Sequence, residues 1–278
     1  MYLDKLTQDE IFVHSEIRSL YELTGIKTRR GFENAIISNG KIVNVVSSSY
    51  GHIPNELFFK QAERLLIDGG ISYQKRTINR NDRTFITDFI IVDDNQFNLK
   101  NSDDSILPML RFKNSYDGSE KTSGHFGFYR KVCSNGLHVS QAEIAFSMKH
   151  NRNAQELIIP KLHQLFQKFL DNEYYEVLGK FELMKTIEII DTKKFVRNIL
   201  QEIKLFRYEC SDTNEEPSKK SRMVLDLIDT ETLLFHQKPN LWLGYNAFNS
   251  VLHNNLKKSF TQQEQLDKKL FETIYSMV

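Results

Sequence analysis

Four runs of strand-forming residues lie close together in the middle of this chain, and the shortness of their connections constrains the fold more than any other feature. The first covers residues 71–78 and ends at Asn79-Arg80-Asn81-Asp82, a set of residues suited to a hairpin turn. The second covers 83–92. A polar loop, 93–105, leads to a third run at 109–116, and a fourth covers 125–133. Connections this short favour antiparallel pairing, because a parallel crossover takes roughly a dozen residues or more.

Helical patterns surround these strands. Residues 6–17 are expected as a short helix, and Gly40 opens a turn into a β-branched strand at 41–46. Pro54-Asn55-Glu56 starts a helix whose Leu57, Phe58, Ala62, Leu65 and Leu66 recur at helical spacing, with Gly69-Gly70 as its stop. Beyond Ser140 the character is helical. Ile158, Leu162, Leu165, Phe166 and Phe169 form one stripe, with Pro160 expected in the first turn. Phe195, Val196, Ile199, Leu200, Ile203 and Phe206 form another, entered at Asp191. Met223, Leu227 and Ile228 begin a further helix, Trp242 to Leu256 mark the next, and Thr261 with Glu264 suggests a capping box for the last. The expected fold class is therefore α+β: an antiparallel β-sheet of about four or more strands flanked by helices, with a helical C-terminal half. The expected organisation is an N-terminal segment (1–50), a core domain (51–210), a polar linker (211–220) and a C-terminal helical region (221–278) packed on the core.

Charged residues are 26% and hydrophobic ones 40%, which suits a globular chain with a sizeable core. The formal net charge of +1 creates no global field for a polyanion, so any basic face has to be local. Only Cys133 and Cys210 are present, without a secretory signal pattern or an apolar run of the ~20 residues a membrane helix needs. These features predict a cytoplasmic protein with no membrane partner.

The strands mix cations with rings, as a surface that grips single-stranded nucleic acid would. Lys75 shares a strand face with Tyr73, and Arg76 takes the other. Arg111 and Lys113 lie opposite Phe112 and Tyr116, while Phe126, Phe128 and Arg130 lie opposite Tyr129 and Lys131. The expected nucleic-acid-binding residues are Lys75, Arg76, Arg111, Lys113, Tyr116, Phe128, Arg130 and Lys131. The competing reading makes the cations a solvated face and the rings its core.

Other chemistries find less support. His125, Cys133 and His138 lack the paired spacing of zinc ligands and a third group to orient a nucleophile. The acids Asp93, Asp94, Asp103 and Asp104 could serve a metal-dependent nuclease, but their Asn and Ser neighbours read as solvated turns. No phosphate-binding glycine motif occurs. No metal, cofactor or catalytic residue is expected, and enzymatic activity less than binding.

Asn114-Ser115-Tyr116-Asp117-Gly118-Ser119 followed by Arg130-Lys131-Val132-Cys133-Ser134-Asn135-Gly136-Leu137 resembles the core signature of the phage/plasmid-like proteins of the domain of unknown function 932. Tyr50 leading to Pro54-Asn55-Glu56, and Trp242-Leu243-Gly244-Tyr245-Asn246-Ala247-Phe248 with His253, resemble its flanking motifs; Lys131 stands where an apolar residue fits the pattern. The resemblance implies a protein of phage or plasmid origin acting in a bacterial host cell, and carries over no catalytic residue. The order helix, antiparallel strands, helix is also similar to the core of Rad52-type single-strand annealing proteins, an analogy of fold alone.

The leading expectation is a single-stranded DNA-binding protein, an annealing factor in recombination, acting as a homo-oligomer. The alternative is an interaction module whose C-terminal helices dock on a phage or host protein, with a nuclease ranked last.

Overall fold

The computed structural model describes residues 10–92, 97–98, 104–130, 136–137, 145–171, 175–211 and 214–278. In chain order the elements are β1 (Ser15–Ser19), α1 (Leu20–Thr24), β2 (Asn34–Ser38), β3 (Lys41–Val46), α2 (Asn55–Asp68), β4 (Tyr73–Arg80) and β5 (Thr84–Ile91). Then come β6 (Phe97–Asn98), β7 (Ser105–Ser115), β8 (Thr122–Arg130), β9 (Gly136–Leu137), β10 (Ala145–Met148) and α3 (Ala154–Leu170). The remainder is α4 (Tyr175–Thr186), α5 (Thr192–Ile203), β11 (Glu209–Ser211), β12 (Asn214–Pro217), α6 (Lys219–Leu234), α7 (Leu241–Asn255) and α8 (Phe260–Tyr275). The fold is α+β with a helical C-terminal region, as expected. The chain divides into two compact units, Met1–Asn95 with Pro108–Gly127 and Ser140–Glu173, and Gln96–Leu107 with Phe128–Val139 and Tyr174–Val278.

In the first unit, β1-β2-β3 form a small antiparallel sheet. The main sheet runs β10-β8-β7-β5-β4, antiparallel at β4–β5, β5–β7 and β8–β10. The helix α2 buries Phe58, Ala62 and Leu66 of the expected stripe together with Phe59, while Leu57 and Leu65 are only partly buried. Phe58 packs edge-on against Phe112 of β7 at 5.7 Å, and Phe166 of α3 stacks on the same ring at 6.2 Å. Phe89 joins them at 5.8 Å, so one sheet face is an aromatic core under two helices. The strand β5 is buried along its whole length.

In the second unit, α7 is buried on nearly every side and carries Trp242, Tyr245 and Phe248. A Cβ on Gly244 would come within 2.6 Å of the Phe195 ring, so only glycine lets α5 approach this closely. The Asn240 side chain caps α7 by accepting from the Leu243 amide.

Several expectations require correction. Residues 15–17 of the proposed helix at 6–17 belong to β1, where Ile17 pairs opposite the buried Ile36. Pro160 lies beyond the first turn of α3, which starts at Ala154. The last helix is capped by Ser259 and Gln262, not by Thr261 and Glu264. The segment expected as a linker is instead a hairpin, β11–β12, followed directly by α6. Among the described residues, no helix is long and apolar enough to cross a membrane.

Candidate functional site

Some of the residues that carry the family resemblance, Tyr50, Asn55, Asn114 and Tyr116, meet in the first unit at a buried polar cluster. Pro54 occupies the N-cap of α2 and offers no capping side chain, so the Asn55 amide donates to the Tyr116 hydroxyl at 2.8 Å instead. The Asn55 side-chain amide donates to the Ile11 carbonyl at 2.7 Å, and its oxygen accepts from Asn114 at 2.9 Å. Asn114 also donates to the Ile53 carbonyl and accepts from the Thr122 hydroxyl at 2.9 Å. Thr122 lies 3.1 Å from Nε2 of His150, whose Nδ1 is 3.2 Å from the Gly51 carbonyl. Tyr50 stacks on the His150 ring, nearly parallel at 5.0 Å. His52 hydrogen-bonds Ser15 through Nε2, while its Nδ1 is buried without a partner, as is the Tyr50 hydroxyl.

Burial, reinforced by the nearby His150, lowers the His52 imidazole to about 4. Burial also lowers His150, opposed by the Gly51 carbonyl. Tyr50 is pushed up by desolvation and then by the charge of Asp117. Both rings are therefore neutral near pH 7. The linked amides and hydroxyls join the 50–55 segment, the β7–β8 turn and the start of α3. The chemistry of this cluster is that of a latch: a set of neutral groups holding three segments in register.

The strand cations do not form the expected open groove. Arg76 and Arg111 are brought together by one buried carboxylate, Asp88, directly opposite both in the sheet. Arg111 donates to Asp88 at 2.7 Å and Arg76 at 2.9 Å. Burial alone would raise Asp88, but the two guanidiniums hold its carboxyl far below the ordinary range. Lys113 is buried 3.7 Å from Glu120, and Lys75 pairs with Glu63 of α2 at 2.8 Å. Tyr116 is core, since its ring packs against Phe85 at 4.8 Å.

The second unit holds Arg130 with no exposure. Its guanidinium donates to both oxygens of Asp104, each at 2.7 Å, and to Glu231 at 2.9 Å. Asp104 also accepts from the Trp242 indole at 2.7 Å, and the Phe235 and Trp242 rings lie 5.3 and 5.6 Å from the guanidinium carbon. Phe128 packs edge-on against Phe181 at 5.2 Å. Asp104, weighed above as a nuclease ligand, thus serves Arg130 and Trp242. Lys131, Asp93, Asp94, Asp103, Cys133 and His138 lie outside the described residues, and His125 is buried. Among the described residues no acids, histidines or cysteines gather as metal ligands do.

Cations and rings do meet solvent together elsewhere in the first unit. Tyr21 in α1 is 59% exposed, Ile26 67% and Phe32 54%, and Lys27, Arg29 and Arg30 between them are exposed. Ser19 and a left-handed Gly25 cap α1 and launch this loop, which turns back through a Phe32 amide to Arg29 carbonyl bond. The Glu33 carboxylate accepts from the Gly31 and Ser48 amides. The signal was present in the sequence, as Lys27-Thr28-Arg29-Arg30-Gly31-Phe32.

No curated protein and no solved structure matches the chain. One family model does, over residues 42–271, a span that takes in the whole of the latch from Tyr50 to His150 except Ser15 and Ile11. The motifs around Asn55, Asn114–Ser119 and Tyr245 thus identify the chain correctly: it belongs to the family described as Domain of unknown function (DUF932).

Proposed function

We propose that the chain binds single-stranded DNA through the exposed basic and aromatic surface at residues 21–32, and that it promotes strand annealing from that surface. The observation that carries this reading is the exposure of Lys27, Arg29 and Arg30 between Tyr21 and Phe32. Cations follow a phosphate backbone and release its counterions, while solvent-facing rings stack on bases of any sequence. The surface precedes the span of the family match, so the activity is proposed for this chain rather than for the family. Fluorescence anisotropy with a labelled oligonucleotide at several salt concentrations tests it. Single-strand binding loses about 0.7 of log–log salt slope per phosphate contact removed. Reversing Lys27, Arg29 and Arg30 to Glu should therefore flatten the slope by about two. Absent binding at low salt, or an unchanged slope, would overturn the proposal.

A second reading, docking of a protein partner, is favoured by the second unit. Ile190 is 96% exposed, and Leu183, Leu233 and Leu234 are also open to solvent. Capture of partners that survives nuclease treatment supports this reading against the first.

A further inference from the structure

Two hairpin turns of the first unit meet and border a polar cleft. Between β2 and β3 the turn is Asn39-Gly40, with Ser38 paired opposite Lys41. Between β4 and β5 it is Asn81-Asp82, closed by the Arg83 amide donating to the Arg80 carbonyl at 3.1 Å. All four turn residues are left-handed, with φ of 49°, 75°, 55° and 57° in chain order. Tight hairpin turns require that backbone, and Asn, Asp and Gly tolerate it best. The Ser38 hydroxyl donates to the Asp82 carbonyl at 2.7 Å, and the Asn39 side chain donates to the Asp82 carboxylate at 3.2 Å. Asn79 donates to the other carboxylate oxygen at 2.7 Å. The cleft so formed has a volume of about 480 Å³, within the roughly 300–1,000 Å³ of small-molecule sites. Ser38, Lys41, Val43, Asn81, Asp82 and Arg83 line it. Lys41, Asn81 and Arg83 are exposed, and their side chains have no ion-pair or hydrogen-bond partner among the described residues. The main chain fixes where they start. Lys41 pairs with Ser38, and the Arg83 carbonyl accepts from the Tyr116 amide at 2.7 Å. A lysine on an outer strand also guards a sheet edge against pairing, which accounts for Lys41 but not for Asn81 or Arg83.

We propose that this cleft binds a sugar phosphate. Lys41 and Arg83 supply cations for the phosphate, Asn81 supplies an amide donor, and the arginine fork matches two phosphate oxygens at once. Asp82 answers the sugar. Asn39 and Asn79 take two of the roughly four lone-pair sites of its carboxylate, which leaves acceptors for hydroxyl groups. Among the described residues Val43 alone gives the lining an apolar side chain, so the cleft suits a hydroxylated body rather than a flat base. The cleft shares no residue with the surface at 21–32 and lies at the other end of the small sheet, since Ser38 pairs with Ser15 and Asn34 with Ser19. It stands or falls independently of that surface.

Titration calorimetry on the full chain with ribose 5-phosphate, ribose and inorganic phosphate is the test. Ribose 5-phosphate should bind at least on the order of tenfold more tightly than either fragment. Lys41→Glu with Arg83→Glu should weaken it on the order of tenfold or more. Asn81→Gly keeps the left-handed turn, removes the amide donor and should weaken it to a smaller extent. The circular dichroism spectra of these variants should match that of the parent chain. Reversal of Lys27, Arg29 and Arg30 should leave ribose 5-phosphate binding intact, so loss of oligonucleotide binding and loss of this site are read separately. Competition names the source of the ligand. Displacement by a 5′-phosphorylated oligonucleotide, but not by its unphosphorylated counterpart, assigns the site to the end of a strand; displacement by neither assigns it to a free sugar phosphate. No ribose 5-phosphate binding at millimolar concentration, equal affinity for bare phosphate, or indifference to the Lys41 and Arg83 reversals would each overturn the assignment.

Discussion

The Tyr116 hydroxyl accepts a hydrogen bond from the backbone amide of Asn55 at 2.8 Å, across 61 positions of sequence. A helix normally satisfies its first amides with a Ser, Thr, Asp or Asn side chain at the N-cap. Here that position is Pro54, and the end of the main sheet does the capping instead. The start of α2 and the β7–β8 turn are thereby set by one bond, and Asn55 extends the connection to Ile11 and Asn114.

Tyr116→Phe removes this cap and leaves the Asn55 amide buried without an acceptor. The expected loss is about 1–2 kcal/mol of stability, read as a lower urea midpoint with an unchanged slope. Asn55→Ala should cost more, because Asn114 and the Ile11 carbonyl also lose partners. An unchanged midpoint in Tyr116→Phe would show that the bond contributes nothing.

The two latch histidines predict acid sensitivity. Burial lowers His52 to about 4 and lowers His150 as well, so the unfolded chain binds protons more readily than the folded one. Stability from keeping them neutral is complete above about pH 6.5 and is lost as pH falls toward about 4. At about 1.4 kcal/mol per pKa unit, His52 alone accounts for ~3 kcal/mol. Asp88, held low by Arg111 and Arg76, stays ionised across this window and loses its contribution only at lower pH. Urea denaturation at pH 7 and pH 4.5 should show the loss, and His52→Gln with His150→Gln should flatten it. A pH slope identical in the double variant would assign the sensitivity to other groups.

How much of this was legible in the sequence depends on how far apart the partners lie. The 79–82 turn sets the β4–β5 register, and that register places Arg76 opposite Asp88, so this ion pair could have been read from the hairpin alone. The alternation at Arg111, Phe112 and Lys113 separates the aromatic core from the cation face correctly. It cannot show that the cation face is also buried, because burial depends on the packing of distant residues. Arg130 meets Glu231 over 101 positions, and Asp104 meets Trp242 over 138, pairings that no local pattern encodes. The exposed Lys27–Phe32 cluster was fully written in the sequence. It lies in the loop between α1 and β2, outside the strand alternation that sets rings against cations in the sheet.

Arg130 should be the least replaceable of the predicted cations. Truncation to Ala strands Asp104 and Glu231 as buried carboxylates, at a cost of about 3–5 kcal/mol. Arg130→Lys keeps the charge but loses the fork that meets both Asp104 oxygens, and should recover only part of this. Lys75→Met, at a partly exposed pair with Glu63, should stay within about 1 kcal/mol. Comparable losses for Lys75 and Arg130 in thermal unfolding would contradict this ranking.

Two glycines make opposite predictions, from what an added Cβ would meet. At Gly51 it would lie 1.9 Å from the Asn151 carbonyl oxygen, a backbone atom with no rotamer by which to yield. The Gly51 amide also donates to the His150 carbonyl, and Tyr50 bridges Asn151, so relieving the clash pulls these two segments apart. Gly51→Ala should therefore destabilise by about 1–3 kcal/mol or more and disturb the His150 ring signals in an NMR spectrum. At Gly179, within α4, the same methyl meets nothing within 4 Å. Gly179→Ala restricts the unfolded chain and improves helix propensity, and should raise stability by up to about 1 kcal/mol. Equal effects at the two positions would mean that the close approach of the Gly51 and Asn151 segments is not a feature of the folded protein.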